Sequence, residues 1–452
     1  VTRTDRARAL SLPALVAFGS TNIPIFALQL ALSVHLPRYF ASHMGLSLAT
    51  VGAAFALVRA IDIPLDPALG MLMDRTRTRL GRYRPWAIAG APVLMSALYL
   101  LMHPPGGVSE PWLVAVLLAM FLGYSAMFLA QLAWAAEIAP DYQARSRLFA
   151  VISALGVVGA ITVLIVPVAL QRLGRSEAQG VEAMIWFVIL ATPAATALMT
   201  LRTAEPLAPR AHGGFTLADY ARLLARRNVL RLLASDLCIQ LGPNWMAALY
   251  LFYFTTRRGF DAAQANLLLL AYVTAGFLGA PLTAWLSARI EKHRALIVCT
   301  TAYALAVLIT PLVPKGSLAA ALPVMLLAGM AFTGFLVLLR ALAADIADEV
   351  RLETGREWTA LIYALMNATT KLASAAGVFF TFRVLARVGF DPREGATNSA
   401  AALRGLEHAF LAGPAAFVMA GGLVFLGYRL DHRRHADIRR QLAARAAALA
   451  EG

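Results

Sequence analysis

The chain has 452 residues, 60% of them hydrophobic and only 14% charged, whereas a soluble domain carries roughly 25% charged residues on its wet surface. That balance excludes an ordinary soluble globular protein. The net charge of +15 does not indicate nucleic acid either, because the basic residues sit in short clusters between apolar blocks, the pattern of a membrane topology signal.

Apolar blocks of roughly 20 residues suit a helix crossing about 30 Å of hydrocarbon. In chain order they predict helices 1 to 6 over 11–37, 45–73, 86–103, 111–138, 147–170 and 182–202. The first block lacks a small-residue cleavage site, so it is read as a retained helix rather than a signal peptide. A polar segment, 203–228, with Pro206, Pro209, Gly213 and Gly214, is predicted to be a cytoplasmic loop. Helices 7 to 12 follow over 230–256, 262–288, 294–313, 318–346, 358–386 and 405–430. The Ala/Arg-rich tail, 431–452, reads as a short amphipathic cytoplasmic helix.

An even helix number puts both termini on one side. That side then holds 27 of the 40 Lys and Arg, the other 10, and Arg59, Arg340 and Lys371 lie within helices. Both termini are therefore expected in the cytoplasm of a bacterial inner-membrane protein. Cys238 and Cys299 fall inside predicted helices and form no disulfide framework.

The two halves echo each other. Helix 2 ends Pro67-Ala-Leu-Gly70-Met-Leu-Met-Asp74-Arg75, and helix 8 ends Pro281-Leu-Thr-Ala284-Trp-Leu-Ser-Ala288-Arg289. Helix 4 closes Ala135-Ala136-Glu137-Ile138, and helix 10 closes Ala343-Ala344-Asp345-Ile346. The offsets are 214 and 208 residues. The expected fold is all-α: twelve transmembrane helices in two six-helix pseudo-repeats, 1–202 and 229–430, with binding between them, as in the major facilitator architecture.

Helix 2 contains Arg59-Ala-Ile-Asp62-Ile-Pro64-Leu-Asp66-Pro67. Asp62 and Asp66 are four apart and share one helical face. A charge at mid-membrane costs roughly 2.5–3.5 kcal/mol on insertion scales, and two like charges add repulsion, so the pair requires a cation or a shared proton. Pro64 and Pro67 remove backbone donors and leave the carbonyls of Ala60 and Ile63 without their usual partners. Carboxylates beside loosened carbonyls suit a hard cation such as Na⁺. The competing reading is a structural lock, with Arg59 neutralising one Asp. At the equivalent positions helix 8 has Gly276 and Ala280, so the pair is not a requirement of the fold.

Lys371 lies in helix 11 within Asn367-Ala-Thr-Thr370-Lys371-Leu-Ala-Ser374. A buried ammonium needs a carboxylate, and Asp62 or Asp66 would supply it in competition with the bound cation; snorkelling to an interface is the alternative. Asn367, one turn earlier, joins the cation-site candidates. The loop Asp74-Arg75-Thr-Arg-Thr-Arg-Leu-Gly81-Arg82-Tyr-Arg84-Pro85-Trp86 suits a conformational latch, with Glu137, Asp345 and Asp348 as partners on the same side. Asn22, Tyr124, Gln131, Asn244 and Trp245 are candidates for a substrate cavity, though each also fits a helix-packing contact.

These motifs resemble the glycoside–pentoside–hexuronide:cation symporter family, which contains the melibiose carrier. The resemblance rests on Asp62-x-x-x-Asp66-Pro67-x-x-Gly70, on Gly81-Arg-Tyr-Arg-Pro85-Trp86, and on Ala344-Asp345-Ile-Ala-Asp348 followed by Thr354-Gly355-Arg356, with Lys371 at the family's helix 11 lysine. It implies that Asp62 and Asp66 bind the coupling cation close to Lys371. Two departures bear on the ligands. Helices 1 and 4 lack the carboxylates with which sugar-transporting members grip hydroxyls, which leaves room for an amphipathic, anionic or lysolipid-like solute. Leu65 stands where sodium-binding members often carry Asn, which raises H⁺ beside Na⁺.

The expected function is cation-coupled symport, with Na⁺ or H⁺, of a small organic solute, glycoside-like or amphipathic and lysolipid-like, by alternating access, by a monomer among membrane lipids, with no nucleic acid and no cofactor beyond the coupling ion. Its rivals are a proton-driven exporter of hydrophobic compounds and a non-transporting membrane sensor. No His/Cys metal cluster, phosphate loop or nucleophile elbow suggests an enzyme.

Overall fold

The computed structural model describes residues 11–105, 107–139, 142–205, 217–356, 358–428, 430 and 432–451. The long helices are numbered in chain order. In the first half these are α1 (Leu12–Ser42), α2 (Leu48–Arg75), α3 (Arg84–Met102), α4 (Glu110–Ile138), α5 (Tyr142–Arg172) and α6 (Glu177–Arg202). The second half has α7 (Arg227–Phe252), α8 (Ala262–Ile290), α9 (Lys292–Leu308), α10 (Leu318–Thr354), α11 (Thr359–Arg387) and α12 (Ala400–Leu423). Of the polar middle segment, 206–216, with Pro206, Pro209, Gly213 and Gly214, lies outside the described residues; a short helix, Leu217–Leu224, follows. A tail helix, His432–Glu451, packs on α10 with Ile438 buried.

Among the described residues, ten helices are long and apolar enough to cross a membrane. The two that fall short by composition are α7 and α11. They carry Asp236, Gln240 and Asn244, and Asn367, Thr370 and Lys371, so the polar cost of the interior is concentrated on one pair of neighbours.

Several helix ends differ from expectation because of capping. Ser176 and Gln179 form a capping box that starts α6 at Glu177 rather than 182. Ser399 caps α12 through the Ala402 N–H, moving its start from 405 to Ala400. Past Asp345, α10 continues to Thr354 and stops at Gly355, whose φ of 69° is the left-handed cap that glycine adopts without strain.

Helix contacts repeat between the halves. In the first half α1 packs on α5 and α6, α2 on α4, and α3 on α4 and α6. In the second, α7 packs on α11 and α12, α8 on α10, and α9 on α10 and α12. The same pairs recur when six is added to each helix number, so the fold is a duplicated six-helix unit. The halves meet through α2 against α11, α5 against α8, and the end of α1 against α7.

These cross-contacts are unevenly spread along the bundle. Only the first segment of α8, Ala262–Thr274, has an extensive contact with α5, whereas its second segment, Gly276–Ile290, packs on α9 and α10. On α2, a Cβ at Gly52 would come within 3.3 Å of Phe382 and 3.4 Å of the Phe379 backbone on α11, so glycine sets how closely these helices approach. The halves therefore close on each other at the end carrying the C-terminus of α1, here called the far end. The opposite, basic end carries Arg82, Arg84 and Lys292.

Candidate functional site

Helix α2 runs unbroken through Pro64 and Pro67 and presents Asp62 and Asp66 to α11. Lys371 Nζ lies 2.7 Å from Asp62 Oδ2 and 2.5 Å from Asp66 Oδ2, so one ammonium bridges both carboxylates across the boundary between the halves. Arg59 Nη1 stands 3.2 Å from the same Asp62 Oδ2, and its guanidinium lies 4.0 Å from the centroid of the Phe121 ring. Ser125 on α4 donates to Asp62 Oδ1 at 3.2 Å. Asp62 is 1% exposed, whereas the Asp66 and Lys371 side chains retain 22% and 19% of their exposure. Asp66 Oδ1 is buried without a hydrogen-bond partner.

Both expected partnerships therefore coexist: Lys371 reaches the acidic pair, and Arg59 neutralises Asp62 at the same time. Asn367 lies exposed one turn toward the basic end, and the described bonds at Asp62 and Asp66 do not include it. The role of Ser125 was not legible in sequence, since no spacing rule ties a serine on α4 to a carboxylate on α2.

The five cavity candidates separate. A cavity on the far side of the Asp62–Lys371 contact is lined by Ser33, Phe55, Arg59, Phe121, Asn244 and Ser374, among others. Asn244 is the sole member of the expected set in that lining. Asn22 donates to Gln131 at 2.9 Å, Gln131 donates to the Phe18 carbonyl at 2.9 Å, and both are buried, so this pair ties α1 to α4. Trp245 Nε1 is spent on the Ala409 carbonyl at 2.9 Å, and Tyr124 stacks on Phe128.

At the basic end, Arg82 bridges Asp74 at 3.3 Å and Glu137 at 3.2 Å, and Tyr83 Oη donates to Glu137 at 3.1 Å. Burial raises the Glu137 carboxyl above its ordinary value, against the opposing pull of Tyr83 and Arg82. Burial and Glu137 together push the Tyr83 phenol up. Glu205, from the middle segment, accepts the backbone N–H groups of Arg82, Tyr83 and Arg84 at 2.6, 2.9 and 3.2 Å. Arg84 itself donates to the Thr203 carbonyl, and Arg75 lies exposed outside these pairs.

Asp345 and Asp348 do not meet this loop. Lys292 Nζ holds both Asp345 oxygens at 2.8 and 2.7 Å, and His435 of the tail lies 3.0 Å from Asp348 and 3.5 Å from Asp345. Each cluster is satisfied within its own half because the halves meet at the far end instead.

Residues 17–432 match the family described as MFS/sugar transport protein. A lactose permease of Lactobacillus delbrueckii subsp. bulgaricus is 25% identical over 85% of this chain, and the match spans 64% of that permease's length. A putative glycoside/cation symporter of Escherichia coli, YagG, is 22% identical over 92% of this chain and 91% of its own. Among solved structures, the nucleoside transporter NupG superposes with a TM-score of 0.66 at 13% identity, covering 92% of this chain and 99% of that one. A bacterial homologue of the human lysosomal transporter Spinster gives 0.64 at 17% identity, over 95% and 99%. The duplicated helical bundle and the family match together show that this chain is a multi-pass membrane protein belonging to the MFS/sugar transport protein family, the melibiose-carrier-like branch of the major facilitator superfamily.

Proposed function

We propose that the chain is a cation-coupled symporter of an organic solute, with Asp62 and Asp66 as the cation site and Lys371 as its occupancy sensor. The observation that carries this reading is the single ammonium bridging both carboxylates across the two halves. An incoming Na⁺ or H⁺ neutralises the same oxygens, so it competes with Lys371 and loosens the tie between α2 and α11. The unpartnered Asp66 Oδ1 offers a further acceptor for that ion. Cation and solute together then favour a closure that neither favours alone, which is how coupling arises.

The solute site is placed at the small cavity beside Arg59, which has room for about one water in this arrangement and must widen to admit a solute. Its lining combines one guanidinium, hydroxyls and an amide with Leu32, Phe55, Phe121 and Val378. That chemistry suits a solute with both polar and apolar faces, either glycoside-like, as the names of the lactose permease and glycoside/cation symporter relatives suggest, or amphipathic. In the membrane we place α7 and α11 as spanning helices, twelve in all. The halves are 1–202 and 229–430, and the middle segment, the tail and both termini lie in the cytoplasm of the bacterial inner membrane, in a monomer.

The test is a thermal-shift titration with Na⁺, Li⁺ and pH on the purified wild type, Asp62→Asn, Asp66→Asn and Lys371→Met. Wild type is expected to gain stability from the coupling ion, and both Asn variants to lose that gain. Lys371→Met is expected to lose about 3 kcal/mol without cation, since it strips a partner from buried Asp62, and to respond more strongly to cation. A wild type indifferent to every ion and to pH, with the Asn variants folded, would leave the triad a structural lock and end the symport reading.

A further inference from the structure

The first helix of each half widens into a π turn near its far end: Ala31–His35 within α1 and Tyr253–Arg257 directly continuing α7. Each is followed or closed by an arginine paired to a glutamate on the sixth helix of the same half, Glu177 at the first position of α6 and Glu407 two turns into α12. Arg38 Nη2 lies 3.0 Å from Glu177 Oε2 on α6, and Arg257 holds Glu407 on α12 through Nε at 2.8 Å and Nη2 at 2.6 Å. The device is duplicated with the fold, but the two copies are not used alike. Arg38 is 8% exposed and also crosses to the other half. Its Nη1 donates to Thr255 Oγ1 at 3.1 Å, and its guanidinium lies 5.3 Å from the Phe252 ring centroid. The π turn carries Thr255, whose own hydroxyl proton is spent on the Leu251 carbonyl at 2.7 Å, which leaves its lone pairs for Arg38. The described bonds of Arg257 stay within its half.

We propose that Arg38 is the clasp that shuts the far end of the bundle: Glu177 anchors it to the first half throughout the cycle, and its reach to Thr255 and Phe252 is made only in the closed arrangement. This rests on the alternating-access reading above. The division of labour follows from the chemistry. The ion pair lies inside one half and is untouched when the halves part, so no buried charge is stranded by opening. The bond that must break is a hydrogen bond to a neutral hydroxyl, weak enough to be made and broken each cycle. Nearby, Ser42 Oγ donates to the Pro392 carbonyl at 2.7 Å, and His43 lies 3.5 Å from Glu394, so these crossings surround the clasp with further light contacts. Glu177 and Glu394 are the acidic groups whose fields act on Arg38, and His35 is the basic neighbour on its own helix.

The experiment measures the opening of the far end directly, so it needs no solute. The full chain, with Cys238→Ala and Cys299→Ala, is placed in lipid nanodiscs and spin-labelled at Leu173→Cys and Lys315→Cys, exposed positions at the far end of opposite halves. Distances between the labels report a short, closed population and a long, open one. Thr255→Val removes the crossing bond along with the hydroxyl's local bond to the Leu251 carbonyl, which lies within the second half whether the ends are open or closed, and is expected to raise the open population about fivefold, the worth of one crossing hydrogen bond of about 1 kcal/mol. Arg38→Gln should open it at least as much, and Arg257→Gln should leave it unchanged. Gly52→Trp, which wedges α2 from α11, serves as the opened reference. If Gly52→Trp opens the far end while Thr255→Val and Arg38→Gln do not, or if Arg257→Gln opens it equally, the clasp is overturned. If even Gly52→Trp yields no open population, alternating access itself fails, and the clasp with it.

Discussion

Asp62, Asp66 and Lys371 illustrate how a costly residue becomes tolerable in a membrane. Each charge alone is expensive there, yet three of them, with Arg59, form a compact cluster whose charges cancel. Glu137 shows the opposite balance at the basic end. Burial raises its carboxyl, so the folded chain holds that proton more tightly than the unfolded chain does. The stability this contributes is complete at low pH and is lost as pH rises through the folded-state value, upward from the ordinary carboxylate range. Glu137→Gln keeps an acceptor for Tyr83 but cannot ionise. Melting curves across pH are therefore expected to show a shallower decline for the variant than for wild type. Parallel curves would mean that Arg82 and Tyr83 fully offset the burial.

At the scale of elements, the decisive contacts lie where helices begin and end. Glu205 occupies the N-terminus of α3, where three backbone N–H groups have no partner within the helix. The loop before it turns at Gly81, with φ 117°, and a Cβ there would collide with the Glu205 carboxylate. A middle segment that looks like a plain linker thus anchors the basic loop. Glu205→Ala is expected to cost about 2 kcal/mol, as for hydrogen bonds to a charged acceptor. It should also speed hydrogen exchange at the Arg82, Tyr83 and Arg84 amides while amides in the middle of α4 stay protected. Unchanged exchange at those three amides would show that Arg82 and Arg84 hold the loop without it.

For the molecule as a whole, the two halves close at the far end and leave Asp62, Asp66 and Lys371, the proposed cation site, nearer the basic end. Asp66 and Lys371 keep partial exposure, and Asn367, one turn closer to that end, is exposed. In a background lacking Cys238 and Cys299, Asn367→Cys is expected to react with a charged maleimide much faster than Ser374→Cys, which lines the cavity on the other side of Lys371. Equal rates would mean that the site is reached from both ends. Repetition of the helix pairs also explains why two short sequence echoes, at Glu137/Asp345 and at Asp74/Ala288, were sufficient to suggest duplication. Asp74, Glu137 and Ala288 lie at helix ends at the basic end, whereas Asp345 lies within α10, which runs on to Thr354.

The sequence by itself determined the membrane character, the helix order, the duplication and the acidic pair, because each depends on composition or on spacing along one helix. Hydrocarbon permits few backbone solutions, so long apolar blocks leave little choice but helices. It did not determine which polar residues face the cavity. Asn22 and Gln131 carry the same chemistry as Asn244, and only packing decides that they satisfy each other while Asn244 lines the space between the halves. The partners of Asp345, the grip of Glu205 and the crossing of Arg38 to Thr255 likewise depend on how helices distant in sequence are brought side by side. Tertiary structure alone chose them, since hydrogen bonds and ion pairs form over a few ångströms and local sequence does not encode distance in space.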